Sequence, residues 1–241
     1  LNYAVLLSGG TGSRINSDIA KQYIKSGGMM MVSRTLLALL ECRHIDLILI
    51  VADMKWRDAI MDEERSLGFD LSRIGGFADP GRNRQESVYN GMAMIQRERG
   101  SSAPDDTILI HDAARPFITT NLLEACYTAL PGHDGVMPVQ KMKDTVYISY
   151  GGKRAEELLN RDSLFAGQAP ELFYFKTYFE ANESLIPDKI LSINGASEPM
   201  VKLGKDIAMI EGDEGNFKVT TDADLKKYLE CFQRSDDELS S

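Results

Sequence analysis

A short apolar run that stops abruptly in a glycine turn limits what this chain can become. Tyr3 to Leu7 is long enough for one buried strand, and Ser8-Gly9-Gly10-Thr11-Gly12 cannot continue it. Glycines in such a turn let backbone N–H groups close around an anion. Arg14 and Lys21 follow on a segment able to fold back over the turn. Strand, glycine turn and cations together predict a polyphosphate site. An ordinary strand-to-helix turn is the alternative reading of the same residues. Two familiar phosphate loops do not match. No Lys-Ser or Lys-Thr closes a P-loop, and Gly12 is followed by Ser13-Arg14-Ile15 with no third glycine of a dinucleotide fingerprint.

The rest of the chain alternates in the same manner. Ser26-Gly27-Gly28 marks a turn, and Met29 to Cys42 has the apolar spacing of an amphipathic helix. Asp46 to Val51 reads as a fully buried strand and Lys55 to Leu67 as a charged surface helix. Strand and helix alternating at this spacing predict a parallel sheet with crossover helices. Pro80-Gly81 then turns the chain into a helix over Gln85 to Arg97. Arg82, Arg84 and Ser87 gather at the start of that helix, where the dipole favours anions. A capped surface helix accounts for the same residues, so the nucleotide reading rests on the first loop.

Asp106 to Asp112 is another buried strand, ending in His111-Asp112-Ala113-Ala114-Arg115-Pro116. Ligands of open α/β sheets sit beyond the carboxyl ends of strands, so Asp112 is a candidate metal or hydroxyl partner and Arg115 a candidate anion partner. A local salt bridge between them is the plainer reading. His111 reads as packed rather than ligating, and His44 and His133 as surface residues. Thr145 to Tyr150 with Gly151-Gly152 predicts a hairpin. Tyr174 to Leu185 is expected to be helical and Asp206 to Glu211 a strand. A last helix should run from Asp222 to Phe232, leaving 234–241 as a polar, acidic and disordered tail.

Composition excludes several classes. The 241 residues carry a net charge of −9, which argues against broad nucleic-acid binding. No apolar run approaches the ~20 residues of a membrane span, and no secretion signal opens the sequence. Cys42, Cys126 and Cys231 stand far apart, without zinc or disulfide spacing. A soluble cytoplasmic protein of one domain over 1–233 is expected.

Five motifs then occur in order: G-G-T-G-S-R with A-K-Q-Y, R-Q-E-S-V-Y-N-G, H-D-A-A-R-P, K-D-T-V, and G-N-F-K-V-T-T-D-A-D-L. In these the chain resembles the cytidylyltransferase family that includes the methylerythritol-phosphate and ribitol-phosphate cytidylyltransferases. The resemblance implies an α/β, Rossmann-like nucleotidyltransferase sheet, a Mg²⁺-dependent reaction with CTP, and a homodimer. A β-arm at about 138–161 would reach the partner's site. By resemblance Arg14, Lys21 and Lys218 are catalytic, and Ser8, Gly9, Gly10, Thr11, Gly12, Gly81, Arg84 and Ser87 bind CTP. Asp112, Arg115, Thr145 and Arg161 meet the acceptor, and Asp112 is also the candidate metal ligand.

The acceptor half departs from the family pattern. Q-T-P-Q is here Gln168-Ala169-Pro170-Glu171, and a threonine-bearing T-D segment is Ile193-Asn194-Gly195-Ala196. Details of Gly9 to Gly12, Arg115 to Thr119 and Phe165 to Gln168 look closer to the ribitol-phosphate branch. Ribitol 5-phosphate is therefore the expected acceptor, with 2-C-methyl-D-erythritol 4-phosphate the alternative. A chain that binds CTP without turnover is a further alternative. A nicotinamide-dependent dehydrogenase is disfavoured by the missing third glycine.

Overall fold

A computed structural model describes residues 1–10, 15, 17, 19–100 and 103–238, with side chains up to Phe232. The strands are β1 (Asn2–Leu7), β2 (Lys25–Ser26), β3 (Met29–Met30), β4 (Leu47–Val51), β5 (Ile74–Ala78), β6 (Thr107–Asp112), β7 (Gly135–Lys141), β8 (Tyr147–Ile148), β9 (Glu157–Leu158), β10 (Phe165–Gly167), β11 (Glu171–Tyr174) and β12 (Ile207–Glu211). The α-helices are α1 (Met31–Glu41), α2 (Met54–Ser66), α3 (Arg84–Arg99), α4 (Thr120–Ala129), α5 (Phe175–Glu183), α6 (Glu198–Lys202) and α7 (Asp222–Glu238).

The main sheet runs β10-β7-β11-β6-β1-β4-β5, and β12 adds to β7. β1 pairs parallel with β4 and β6, and β4 parallel with β5. These are the apolar runs predicted as strands, covered on both faces. Ala4, Leu6, Ile48, Ile50 and Leu109 point to one core with α1, α2 and α4. Tyr3, Val5, Leu49, Val51 and Ile110 point to the other, with α3 and α5. The period-2 alternation of a strand thus serves two layers of helices at once. In α3, a Cβ on Gly91 would come within 2.9 Å of Val5, so glycine lets the helix sit close on β1.

Expectation and structure differ at several places. The sheet is mixed, because β11 runs antiparallel to both β6 and β7. α1 starts at Met31, since Met29 and Met30 pair with Lys25 and Ser26 in a hairpin. Its turn uses Gly27 and Gly28 at φ 55° and 72°, the left-handed geometry such two-residue turns require. α7 continues to Glu238, so the expected tail is helical over 234–238, beyond the predicted end at Phe232. A capping box starts this helix: Thr221 Oγ1 accepts the Asp224 N–H at 3.2 Å, and Asp224 accepts the Thr221 N–H at 2.8 Å. The predicted hairpin forms as β8 with β9, paired at Tyr147–Leu158 and Ile148–Glu157. Among the described residues no helix is long and apolar enough to cross a membrane.

Candidate active site

The carboxyl end of β1 meets three other segments over a cleft of about 350 Å³. Ser8 continues β1 by donating its N–H to Val51 O at 2.8 Å. Gly9 touches the second loop directly, because a Cβ there would lie 2.5 Å from Pro80 Cγ. Lys21–Tyr23 forms one turn of 3₁₀-helix that folds back over the glycine turn, as its position after it predicted. Buried Gln22 donates from Nε2 to Ser8 O (2.8 Å) and Gly10 O (2.7 Å). Tyr23 donates its hydroxyl to Ser8 O at 2.7 Å and stacks on Trp56 at 4.2 Å. Burial pushes the Tyr23 phenol up, which keeps it a donor. These contacts hold Lys21 at the cleft wall. Thr11, Gly12 and Arg14 lie outside the described residues.

The second wall is the N-terminus of α3. Asn83 caps it by accepting the Glu86 N–H at 2.8 Å, and its own amide donates to Ile190 O at 3.0 Å. Ser87 donates to Asn83 O and accepts the Gly81 N–H, both at 2.9 Å. The hydroxyl expected to hold nucleotide therefore shapes the 81–87 turn, while the residue still lines the cleft. Arg82 also lines the cleft and pairs with Glu86 at 2.7 Å.

Asp112, at the end of β6, organises the floor. Its Oδ1 accepts from Arg84 Nε at 2.9 Å and its Oδ2 from Lys218 Nζ at 3.0 Å. Arg115 Nε lies 4.0 Å from the same carboxylate, and Arg115 Nη1 donates to Asn216 O at 2.7 Å. Asn216 in turn donates to Ala169 O at 2.8 Å. Burial raises the Asp112 carboxyl, but the Arg84 and Lys218 charges outweigh it and hold the group far below the usual carboxylate range. Burial lowers Arg84, and Asp112 and Glu171 more than offset that. Burial also leaves Arg115 below its ordinary value. Both arginines stay charged at neutral pH. His111 is fully buried and held neutral, its pKa lowered to about 4 by desolvation.

The implied Mg²⁺ needs hard oxygen ligands. Both Asp112 oxygens already face cations, and Glu171 faces Arg84 and the Ser197 N–H. No group of three or more metal-ligating side chains exists among the described residues. Asp112, the expected metal ligand, is engaged here by Arg84 and Lys218, and a metal ion at that carboxylate would be repelled by the three cations around it. This donor set fits phosphate oxygens and does not fit a protein-held metal.

Thr145 and Arg161 do not line the cleft. Both lie exposed on the arm, where Arg161 donates to Lys143 O at 2.9 Å. The reading by motif missed Gln22, Tyr23 and Asn216, which act through backbone carbonyls. It noted Glu171 only as a replacement. A polar residue beside a functional lysine, on a segment folding over the loop, was the available signal for Gln22.

A mixed Rossmann-like α/β sheet with a cationic, polyanion-fitted cleft at the carboxyl ends of β1 and β6 defines a nucleotidyltransferase. Residues 3–230 match the family described as 2-C-methyl-D-erythritol 4-phosphate cytidylyltransferase. The enzyme of that name from Geobacillus kaustophilus is 31% identical over 226 residues, covering 93% of this chain and 94% of that one. A bifunctional enzyme from Maricaulis maris is 32% identical over 228 residues, 93% of this chain and 55% of its own length. Among solved structures, 4-diphosphocytidyl-2C-methyl-D-erythritol synthase from Anaerococcus prevotii superposes with a TM-score of 0.79 at 24% identity, over 97% of this chain and 96% of that one. That likeness bears on the fold. The chain belongs to the 2-C-methyl-D-erythritol 4-phosphate cytidylyltransferase family.

Proposed function

We propose that this enzyme transfers the CMP group of CTP to 2-C-methyl-D-erythritol 4-phosphate and releases pyrophosphate. The observation that carries this reading is the cluster of Lys21, Arg84, Arg115 and Lys218 around one cleft, in a chain matched by that family from residue 3 to 230. The matched relatives carry the methylerythritol name, so this acceptor replaces ribitol 5-phosphate as the leading reading.

The acceptor's phosphate is largely ionised at neutral pH, so one of its oxygens can attack the α-phosphorus without a general base. A P–O bond forms there while the bond to the bridging α–β oxygen breaks. Its electron pair stays with departing pyrophosphate. What the protein supplies is alignment and positive charge where that charge grows. Lys21 and Lys218 take that part, joined by Arg14 on family grounds. Gly9 and Gly10 line the cleft on the nucleotide's side, and the family pattern assigns Thr11 and Gly12 to the nucleotide as well. Gly81 and Ser87 shape the opposite wall. Mg²⁺ enters as part of the substrate, carried on the triphosphate of CTP.

Asp112 fixes Arg84, Lys218 and Arg115 in place, and Arg115 meets the acceptor. A second copy of the chain supplies Thr145 and Arg161 from its arm, which gives a homodimer with shared sites. Ala169 and Ile193, 3% and 5% exposed, offer no hydroxyl to the acceptor phosphate. A lost hydrogen bond to a charged group is worth about 1.5–3 kcal/mol, enough to weaken acceptor affinity by one or two powers of ten. The test is a panel of polyol phosphates offered with CTP and Mg²⁺, the nucleotide product being identified. Preference for 2-C-methyl-D-erythritol 4-phosphate supports the reading; preference for ribitol 5-phosphate overturns it. CTP binding with no product from any acceptor would leave a binding protein.

A further inference from the structure

Behind Arg84, outside the cleft lining, lies a carboxylate to which nothing above assigns a function. Glu171 opens β11 and is 7% exposed. Its Oε2 accepts the Ser197 N–H at 2.8 Å, and its Oε1 lies 3.9 Å from Arg84 Nη2. Arg84 is therefore held between two carboxylates, Asp112 in front and Glu171 behind. Tyr178 packs on the same face of β11 from α5, and it is neutral because burial raises it. A buried carboxylate is costly, and burial leaves Glu171 above its ordinary value although Arg84 and the Ser197 N–H pull it down. An amide oxygen would accept the Ser197 N–H equally well. What a charge adds over an amide acts on Arg84.

We infer that Glu171 is a positioning residue that sets the charge of the nucleotide cleft, weakening its hold on departing pyrophosphate by sharing Arg84 with Asp112. Arg84, Arg115 and Lys218 against Asp112 and Glu171 leave a formal charge of +1, that is, three cations less two anions. Neutralising Glu171 makes it +2, with Arg84 unshared on that side. A cleft of higher charge binds a polyanion more tightly and lets it go more slowly. The inference rests on the reading of the cleft as a triphosphate site.

Inorganic pyrophosphate titrated into the full chain at fixed pH and ionic strength tests it. Glu171→Gln keeps the acceptor for Ser197 and loses the charge, so pyrophosphate should bind about tenfold more tightly, the scale of one unit charge removed at roughly 10 Å in a protein interior. Glu171→Asp keeps the charge and should return the affinity toward wild type. A merely structural role moves affinity the other way or not at all, and unchanged or weaker binding by Glu171→Gln overturns the inference. Glu171→Met, also neutral, carries the same expectation if Glu171→Gln does not fold. If neither neutral variant folds, the carboxylate serves the fold and the proposal fails. A wild-type chain that binds no pyrophosphate removes the triphosphate reading itself, and the inference with it.

Discussion

Lys218 sits 3.0 Å from the Asp112 carboxylate, which gives it a fixed place rather than the freedom of a surface lysine. Preorganised charge of this kind needs no rearrangement as the leaving group develops its own. Lys218→Ala and Lys21→Ala should each lower kcat by ~10²-fold or more, the scale for one electrostatic contact made in the transition state. Steady-state kinetics beside thermal melts checks this, since turnover should fall while the fold stays intact. Normal turnover would remove that lysine from the mechanism. Gln22 works differently, by tying Ser8 O to Gly10 O. Two hydrogen bonds of about 1 kcal/mol each hold the turn in shape. Gln22→Ala should therefore raise KM for CTP about tenfold, with a smaller effect on kcat; an unchanged KM would mean that the turn holds its shape without the tether.

Elements carry the stability, and α2 is the instructive case. The sequence predicts a charged surface helix, yet Glu63 and Glu64 are turned inward against α1. Glu63 accepts the Met30 N–H at 2.9 Å and pairs with Lys25 at 2.7 Å. Glu64, fully buried, is pushed up to about 7 by desolvation. The folded chain then takes a proton near pH 7 that the unfolded chain refuses until about 4.5. Glu64 thus adds stability as pH falls through that window, by about 3 kcal/mol at most. His111 opposes it: the unfolded chain takes its proton near pH 6.5 and the folded chain only near 4, so stability is lost on acidification. The difference between variant and wild type isolates the first effect. Glu64→Met should be the more stable at pH 8, with the advantage shrinking toward pH 5 in denaturant titrations. A pH-independent difference would contradict the assignment. The strands of the parallel core were legible because strands buried on both faces read as unbroken apolar runs. Helix faces bearing buried carboxylates were not, since periodicity cannot tell a paired charge from a solvated one. β11 also escaped, because Glu171–Tyr174 is too short to announce its direction. Lys21 and Lys218 were found by motif; Glu171 needed the packed structure to show what it faces.

At the scale of the molecule the arm is the feature still looking for a surface. β8 and β9 pair over two residues each, too little for stability alone, and Tyr147, Tyr150 and Leu158 are 55%, 88% and 61% exposed. If the arm completes the partner's cleft, Lys21→Ala chains mixed with Arg161→Ala chains should recover activity in verified heterodimers. No recovery would mean that each subunit serves its own site. All of this depends on attack at the α-phosphorus within a cleft that retains pyrophosphate as the leaving group. Incubation with CTP labelled at the α- or the γ-phosphate, with 2-C-methyl-D-erythritol 4-phosphate present, tests that directly. The α label should appear in the polyol product and the γ label in free pyrophosphate. A γ label carried into the polyol product, or an α label leaving with pyrophosphate, would contradict cytidylyl transfer.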